Sequence, residues 1–311
     1  MSRPLVRRTL PVLLGFLCQT PDRAIAWHET GHKLVAAIAY AELAARERAA
    51  IDVILKRHTN FQSWKAEFER ARPSLSLGQF VFMQASAWPD QIRDSQKPET
   101  HPEWHYIDYP LRPPDFPDEA APNPPNVVSA IDQVSNVLKK HEASRQAQAE
   151  SLAWLIHLVG DIHQPLHCSS LFGGPFKGRE GDRGGNNFWV KLHEESARPV
   201  KLHTLWDGLP GSGKDSDRLA KKASEWMAAH PRNHFPAPAF AATPFAWSRE
   251  SRQLSVDHAY LPLPTLDGRQ TQPVIAPLDY FEKSKALAEA QVTLAGYRLA
   301  DQIRAILARD R

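Results

Sequence analysis

Apolar residues recur at helical spacing in several stretches of the chain. From His32 onward Val35, Ala36, Ala39 and Leu43 follow one another at that period, and Leu152, Leu155, Ile156 and Val159 repeat it, so both stretches predict buried helices. Residues 279–309 contain no proline and carry Val292, Ala295, Leu299, Ile303 and Ile306 on one stripe, the pattern of a long amphipathic helix. A further helix is expected from Ser129 to His141, with Ser129 as its cap. Eight prolines fall between Pro102 and Pro125, and shorter clusters at 231–244 and 262–277 complete a set of ordered surface connections. The glycine-rich stretch Gly173 to Gly185 leads into Asn187-Phe188-Trp189-Val190-Lys191-Leu192, where strand-forming residues concentrate and a small hairpin is expected. There is no internal repeat, and the polar motifs described below spread from residue 27 to 207. The pattern therefore predicts one mainly α domain built around one site.

The N-terminus changes what the composition means. Arg3, Arg7 and Arg8 precede the apolar stretch Leu10 to Cys18, and the small-residue pattern Ala24-Ile25-Ala26 follows, the layout of a cleaved secretory signal over residues 1–26. The apolar stretch is too short for a membrane anchor, and the Arg7-Arg8 pair leaves both general and twin-arginine export open. Cleavage would make Trp27 the first residue of a 27–311 domain. The full chain has 38 basic and 35 acidic residues. Removal of residues 1–26, with four arginines and one aspartate, leaves it formally neutral. No global basic field then attracts an anionic substrate, so any attraction must be local. Cys18 leaves with the signal, which excludes an intramolecular disulfide for the remaining Cys168, and no Asn-x-Ser/Thr acceptor is present.

The histidines suggest what else could hold such a chain together. In His157-x-x-x-Asp161-x-His163-Gln164-Pro165-Leu166-His167, His157 and Asp161 are four residues apart and share one helix face, with His167 just past the helix end. A second pair, His203 and Asp207, has the same spacing, although Gly208 and Pro210 would limit a helix there to about one turn. Imidazole and carboxylate suit zinc, and two pairs plus His167 exceed what one tetrahedral ion uses, so more than one metal is implied. His105, among aromatics, reads as a satisfied core residue, and Asp90, after a proline, as part of a turn.

Together these residues resemble the S1/P1 nucleases, zinc-dependent single-strand nucleases and 3′-nucleotidases whose helical fold is shared with bacterial zinc phospholipase C. In that family the mature chain begins with Trp, whose α-amino group and carbonyl oxygen bind a metal, and a His follows five residues later; Trp27 and His32 stand at that spacing. The resemblance implies three Zn²⁺ ions: Asp90, His105, His157 and Asp161 on the first, Trp27 and His32 with the bridging Asp161 on the second, and His167, His203 and Asp207 on the third. Three carboxylates against six metal charges would leave a positive cavity suited to a phosphodiester. It further implies Arg93 as the phosphate-binding arginine beside the catalytic Asp90 and Asp161, with Tyr106 and Asp108 as the base pocket and a metal-activated water as nucleophile. Gly184-Gly185-Asn186 matches another family element. His163 has no ligand role and is expected to make contacts around the site, and the C-terminal third matches only through Trp247, Glu250-Ser251 and the final helix.

The expectation is thus a mainly α, single-domain fold of the zinc phospholipase C / P1 nuclease type with a small β-hairpin. Its substrates would be single-stranded RNA, DNA or nucleotides, cut to 5′-phosphate ends, with no stable membrane association and no protein partner. Missing cysteine pairs and glycan acceptors point to a bacterial protein, periplasmic or secreted. Two rivals remain open. Zinc phospholipase C would share the metal core, but its pattern has a longer Trp-to-His spacing and ends in His-x-x-x-Glu rather than His203-x-x-x-Asp207. A non-catalytic exported binding protein could use the same ligands only as a metal staple.

Overall fold

The computed structural model describes residues 27–93, 100–140, 142–195 and 198–308, so the expected signal segment lies outside the described residues. The described helices are α1 (Glu29–Glu42), α2 (Ala45–Leu55), α3 (Phe61–Ala71), α4 (Leu77–Ile92), α5 (Val127–Leu138), α6 (Arg145–Asp161), α7 (Leu202–Gly208), α8 (Ser216–Ala229), α9 (Pro238–Ala241), α10 (Pro244–Leu254) and α11 (Tyr280–Leu307). None is long and apolar enough to cross a membrane.

Two helices are buried on every side. All residues from Thr30 to Tyr40 of α1 are buried, as are all from Ser151 to Asp161 of α6, so over these stretches neither helix keeps a polar face for water. α1 packs against α11, α4, α8 and α6, and α5 covers α6 from the other side. The α1–α11 crossing is close because Gly296 has no side chain: a Cβ there would lie 2.5 Å from Ile38. Residues Gln291 to Ala300 of α11 are buried all round. The single apolar stripe expected there understates the burial, because α11 passes through the bundle instead of lying on its surface.

Two helix boundaries correct the sequence reading. α5 begins at Val127, capped by Asn126, whose side-chain oxygen accepts the Val128 and Ser129 amides at 3.1 Å. Ser129 is the return partner of that box, its hydroxyl accepting the Asn126 amide at 3.0 Å. α7 runs from Leu202 to Gly208, two turns and not one, because Gly208 is accommodated as the last helical residue and Pro210 falls beyond the end.

Strand structure is minor. β3 (Trp189–Lys191) pairs antiparallel with β4 (Val200–Lys201), the expected hairpin, and β5 (Val274–Ile275) adds to its other edge in parallel. β1 (Pro110–Leu111) lies parallel to β2 (Ser170–Leu171), which ties the proline-rich connection to the segment after α6.

His58 is buried outside the polar centre described below, stacked on Trp64 and edge-on to Trp88, each at 4.5 Å between ring centroids. Burial pushes its imidazole down to about 4. Between pH 6.5 and 4 the unfolded chain therefore takes up a proton that the folded chain refuses, and stability falls as the pH is lowered through that window. His58→Phe keeps the ring packing and should remove up to ~3 kcal/mol of that loss, read as wild-type and variant denaturant curves that diverge below pH 6.5; parallel curves would contradict the assignment.

Candidate metal centre

Helix ends build the site. His32 lies in the first turn of α1, Asp90 in the last turn of α4, and His157 and Asp161 in the last two turns of α6. His105 closes the short turn Pro102–His105, His167 sits in the turn Pro165–Cys168, and α7 carries His203 and Asp207. The turn expected around Asp90 is absent: Pro89 is inside α4, and the helix continues to Ile92. His105 is buried as expected, but it is not satisfied there, since its Nε2 has no hydrogen-bond partner.

Asp161 is the hub. It is wholly buried and faces four histidines, with Oδ2 3.1 Å from both His105 Nδ1 and His157 Nε2, and Oδ1 3.4 Å from His32 Nε2 and 3.7 Å from His167 Nδ1. Asp90 Oδ1 stands 3.9 Å from the same nitrogens of His105 and His157 and 3.5 Å from Arg93 Nη1. Three groups of donors result: His32, Asp90 and His157; His105, His157 and Asp161; and His167, His203 and Asp207, the donor atoms of each lying within 4.8 Å of one another.

Backbone carbonyls orient the rings. His157 Nδ1 lies 2.8 Å from the Ser86 carbonyl, His167 Nδ1 2.7 Å from that of His105, and His203 Nδ1 2.6 Å from that of Gly184. In each case Nδ1–H donates, which leaves Nε2 as the unprotonated nitrogen facing the centre. Two glycines make room for this. A Cβ on Gly160 would lie 2.7 Å from His32 Nδ1, and Gly184, at φ +60°, would bring one to 2.4 Å from the Leu166 carbonyl. The Gly184-Gly185 element thus lets the chain approach α7 and present the carbonyl that aims His203.

Gln164, which the sequence reading quoted without a role, is wholly buried and fixes Asp207. Its Oε1 accepts the Leu166 amide at 2.6 Å, which sets the amide orientation, and its Nε2 donates to Asp207 Oδ1 at 2.7 Å. Asp207 Oδ2 is left facing His203 Nε2 at 3.4 Å. His163 does not join the donors. Its Nε2 accepts from Arg298 at 2.8 Å, Arg298 is held by Glu250 at 2.7 Å, and Ser251 donates to the Ile162 carbonyl, so α10 and α11 brace the end of α6.

A buried centre of this kind is electrostatically unsatisfied by itself. His32 Nδ1 and Nε2, Asp90 Oδ1, His105 Nε2, Asp161 Oδ1, His167 Nε2 and His203 Nε2 are buried without a hydrogen-bond partner. Burial, followed by the charge of His157, lowers the His32 imidazole to about 4, and burial with the charge of His167 lowers His203 to about 3. Burial, joined by the charges of Asp90 and Asp161, pushes Asp207 well above the carboxylate range despite the Gln164 hydrogen bond. Burial would do the same to Asp161, but the imidazoles crowded around it, first the charge that His157 takes up in the metal-free chain, outweigh it and hold the carboxyl well below its ordinary value. Neutral imidazoles and unpaired carboxylate oxygens in one buried cluster are the donor set that divalent zinc takes.

Trp27 is also buried, packed against Gly31, and the next amide, of His28, donates to the Asp207 carbonyl at 3.2 Å. The described chain therefore starts beside the centre. Tyr106 is 42% exposed. Asp108 is partly buried; burial and then the charge of Asp182 push its carboxyl up to about 7.

Fold and centre together define a helical protein with a buried cluster of histidine and aspartate donors of the kind that holds metal ions. The sequence model for the S1/P1 Nuclease family matches residues 27–308, and the chain belongs to that family, an enzyme family of zinc-dependent nucleases. The match includes the C-terminal third, where the sequence alone offered only isolated correspondences. The chain is similar to Nuclease S1 of Aspergillus oryzae, with 24% identity over 69% of this chain and 75% of the relative. It is also similar to two proteins of Arabidopsis thaliana: Endonuclease 4, with 26% identity over 62% of this chain and 58% of the relative, and Endonuclease 1, with 30% identity over 39% of each.

Gln164→Ala leaves every donor in place but frees Asp207 Oδ1. Loss of such a supporting hydrogen bond should weaken one metal site about 10–100-fold, seen as one weakened site in a zinc titration of the apo protein. Unchanged zinc affinity would show that Asp207 needs no such support.

Proposed function

We propose that the protein is a zinc-dependent phosphodiesterase that hydrolyses single-stranded RNA and DNA to 5′-phosphate products and also removes 3′-phosphates from nucleotides. The observation that carries this reading is the buried set of partnerless donor atoms converging on Asp161 and on the His167–His203–Asp207 group. Asp90, His105, His157 and Asp161 would hold one zinc, His32 and the Trp27 main chain a second with Asp161 shared between the two, and His167, His203 and Asp207 a third. When bound, zinc supplies Lewis acidity to phosphoryl oxygens and lowers the pKa of water toward neutrality.

The chain's own residues supply position and shape. Arg93, capping the end of α4 beside Asp90, offers a planar fork for two phosphoryl oxygens, whose negative charge grows in the transition state. The exposed ring of Tyr106, directly after His105, gives a base a face to stack on, worth about 1–3 kcal/mol. Asp108, near its midpoint at neutral pH, can accept or donate at the base edge. The neutral charge of the processed chain favours flexible strands that reach the centre over duplexes that depend on many phosphate contacts.

Export and cleavage before Trp27 belong to the same proposal. The family match begins at Trp27, its side chain is buried, and the following amide is bonded to Asp207's carbonyl, all of which support a free α-amino group at the centre.

Two measurements test this reading. Zinc-loaded protein starting at Trp27 should cut single-stranded RNA, lose that activity on chelation, and leave phosphatidylcholine intact; chelator-sensitive cleavage of the lipid alone would place it with the phospholipases, and zinc binding with neither activity would leave the metal-staple reading. A variant extended upstream of Trp27 should bind one zinc fewer and lose most of its activity while remaining folded. Equal zinc content and rate in the extended and unextended proteins would remove Trp27 from the ligand set.

A further inference from the structure

A cavity of about 380 Å³ opens beside the donor cluster, between the start of α1, the end of α4 and the loop before α8. Asp90 forms part of its wall, and Asp90 Oδ1 lies 3.9 Å from His105 Nδ1 and His157 Nε2, so an occupant would sit one side chain away from the ligand histidines. Ala87 gives the cavity an apolar surface, Gln91 and Ser212 bring hydrogen-bonding groups, and Lys214 brings a cation. A larger cavity of about 570 Å³ beside Phe176 and Arg269 has no member of the donor cluster on its wall.

Tyr106 is absent from the lining of this cavity. Its carbonyl accepts the Val127 amide at the start of α5, an element that takes no part in the cavity. Among the described residues, His105 and Asp90, 3.9 Å apart, link the two places. We propose that the Asp90 cavity is a second nucleoside subsite, one that receives the nucleoside on the 5′-phosphate side of the bond being cut while Tyr106 holds the base on the other side. The inference rests on the nuclease reading and extends it from one base to two.

Size, chemistry and rigidity agree with that occupant. The volume falls in the range of small-molecule pockets, and an apolar wall with a few polar groups suits a nucleobase. Lys214 is exposed, with its ammonium 3.2 Å from Glu29, which also pairs with Lys33 at 2.6 Å, so the cation is directed without being buried. At the mouth of the cavity it is placed to meet the next phosphate of a strand. The loop that carries it is tied down: Thr30 Oγ1 donates to the Gly213 carbonyl at 2.8 Å, and Lys222 Nζ to that of Pro210 at 2.7 Å. A tethered wall loses little conformational freedom when a ligand arrives.

The test compares 5′-AMP, a product analogue, with 3′-AMP, a competing substrate, as inhibitors of the initial rate of single-strand RNA cleavage by the zinc-loaded enzyme. Ser212→Trp, which fills the cavity, should raise the inhibition constant of 5′-AMP roughly tenfold or more and change that of 3′-AMP less than about twofold, whereas Tyr106→Ala should do the reverse. Lys214→Glu, a surface change that does not threaten folding, should weaken pApA more than 5′-AMP. Equal effects of Ser212→Trp on both mononucleotides, or none on 5′-AMP together with equal effects of Lys214→Glu on pApA and 5′-AMP, would overturn the subsite. Calorimetric binding of 5′-AMP separates the two levels of the proposal: a wild type that cuts no RNA fails as a nuclease, and 5′-AMP binding insensitive to Ser212→Trp refutes the cavity in an active enzyme.

Discussion

Asp161 is a carboxylate without access to water, surrounded by four imidazoles at the buried end of a buried helix. Such a group is costly to bury unless positive charge compensates it, and neutral histidines compensate only in part. The remaining construction follows from that constraint. α1 and α6 must be buried on all sides to bring His32, His157 and Asp161 together, and α11, α10 and α5 supply the cover. The Glu250–Arg298–His163 chain and the Ser251 hydroxyl hold the end of α6 from behind, so Glu250 and Ser251, which stood out in the sequence, serve the centre without entering it.

The centre is also organised by direction. Carbonyls of Ser86, His105 and Gly184 each take one imidazole N–H, and an amide side chain occupies one oxygen of Asp207. His157, His167, His203 and Asp207 each then present one atom inward and have the other fixed. The opposite behaviour of two carboxyls, Asp161 held charged and Asp207 driven toward its neutral form, shows that the chain alone neutralises one and not the other. A divalent cation at each group would remove that difference.

Much of this was readable from residue spacing. The i,i+4 pairs His157/Asp161 and His203/Asp207 identify themselves because that interval places two side chains on one helix face, and the apolar periods locate α1, α6 and α11. Other features were hidden for physical reasons. Pro89 made Asp90 look like a turn residue, yet α4 carries the proline within its last turn and continues to Ile92. Asn126 and Ser129 can each cap a helix, and only the reciprocal pair of bonds shows which one does. Gln164 is an uncharged residue whose importance arises from two bonds at fixed distance, which no spacing reveals. A ligand role for Trp27 and His32 is suggested only by family resemblance, since neither a buried indole nor a lone helical histidine marks a metal ligand.

Diffraction at the zinc absorption edge on the protein starting at Trp27 tests the central claim most directly. The account predicts three anomalous peaks: two flanking Asp161, on its His105/His157 and His32 sides, and one among His167, His203 and Asp207. A protein that cleaves single-stranded RNA with no peak beside Asp161, its carboxylate satisfied by hydrogen bonds alone, would contradict it.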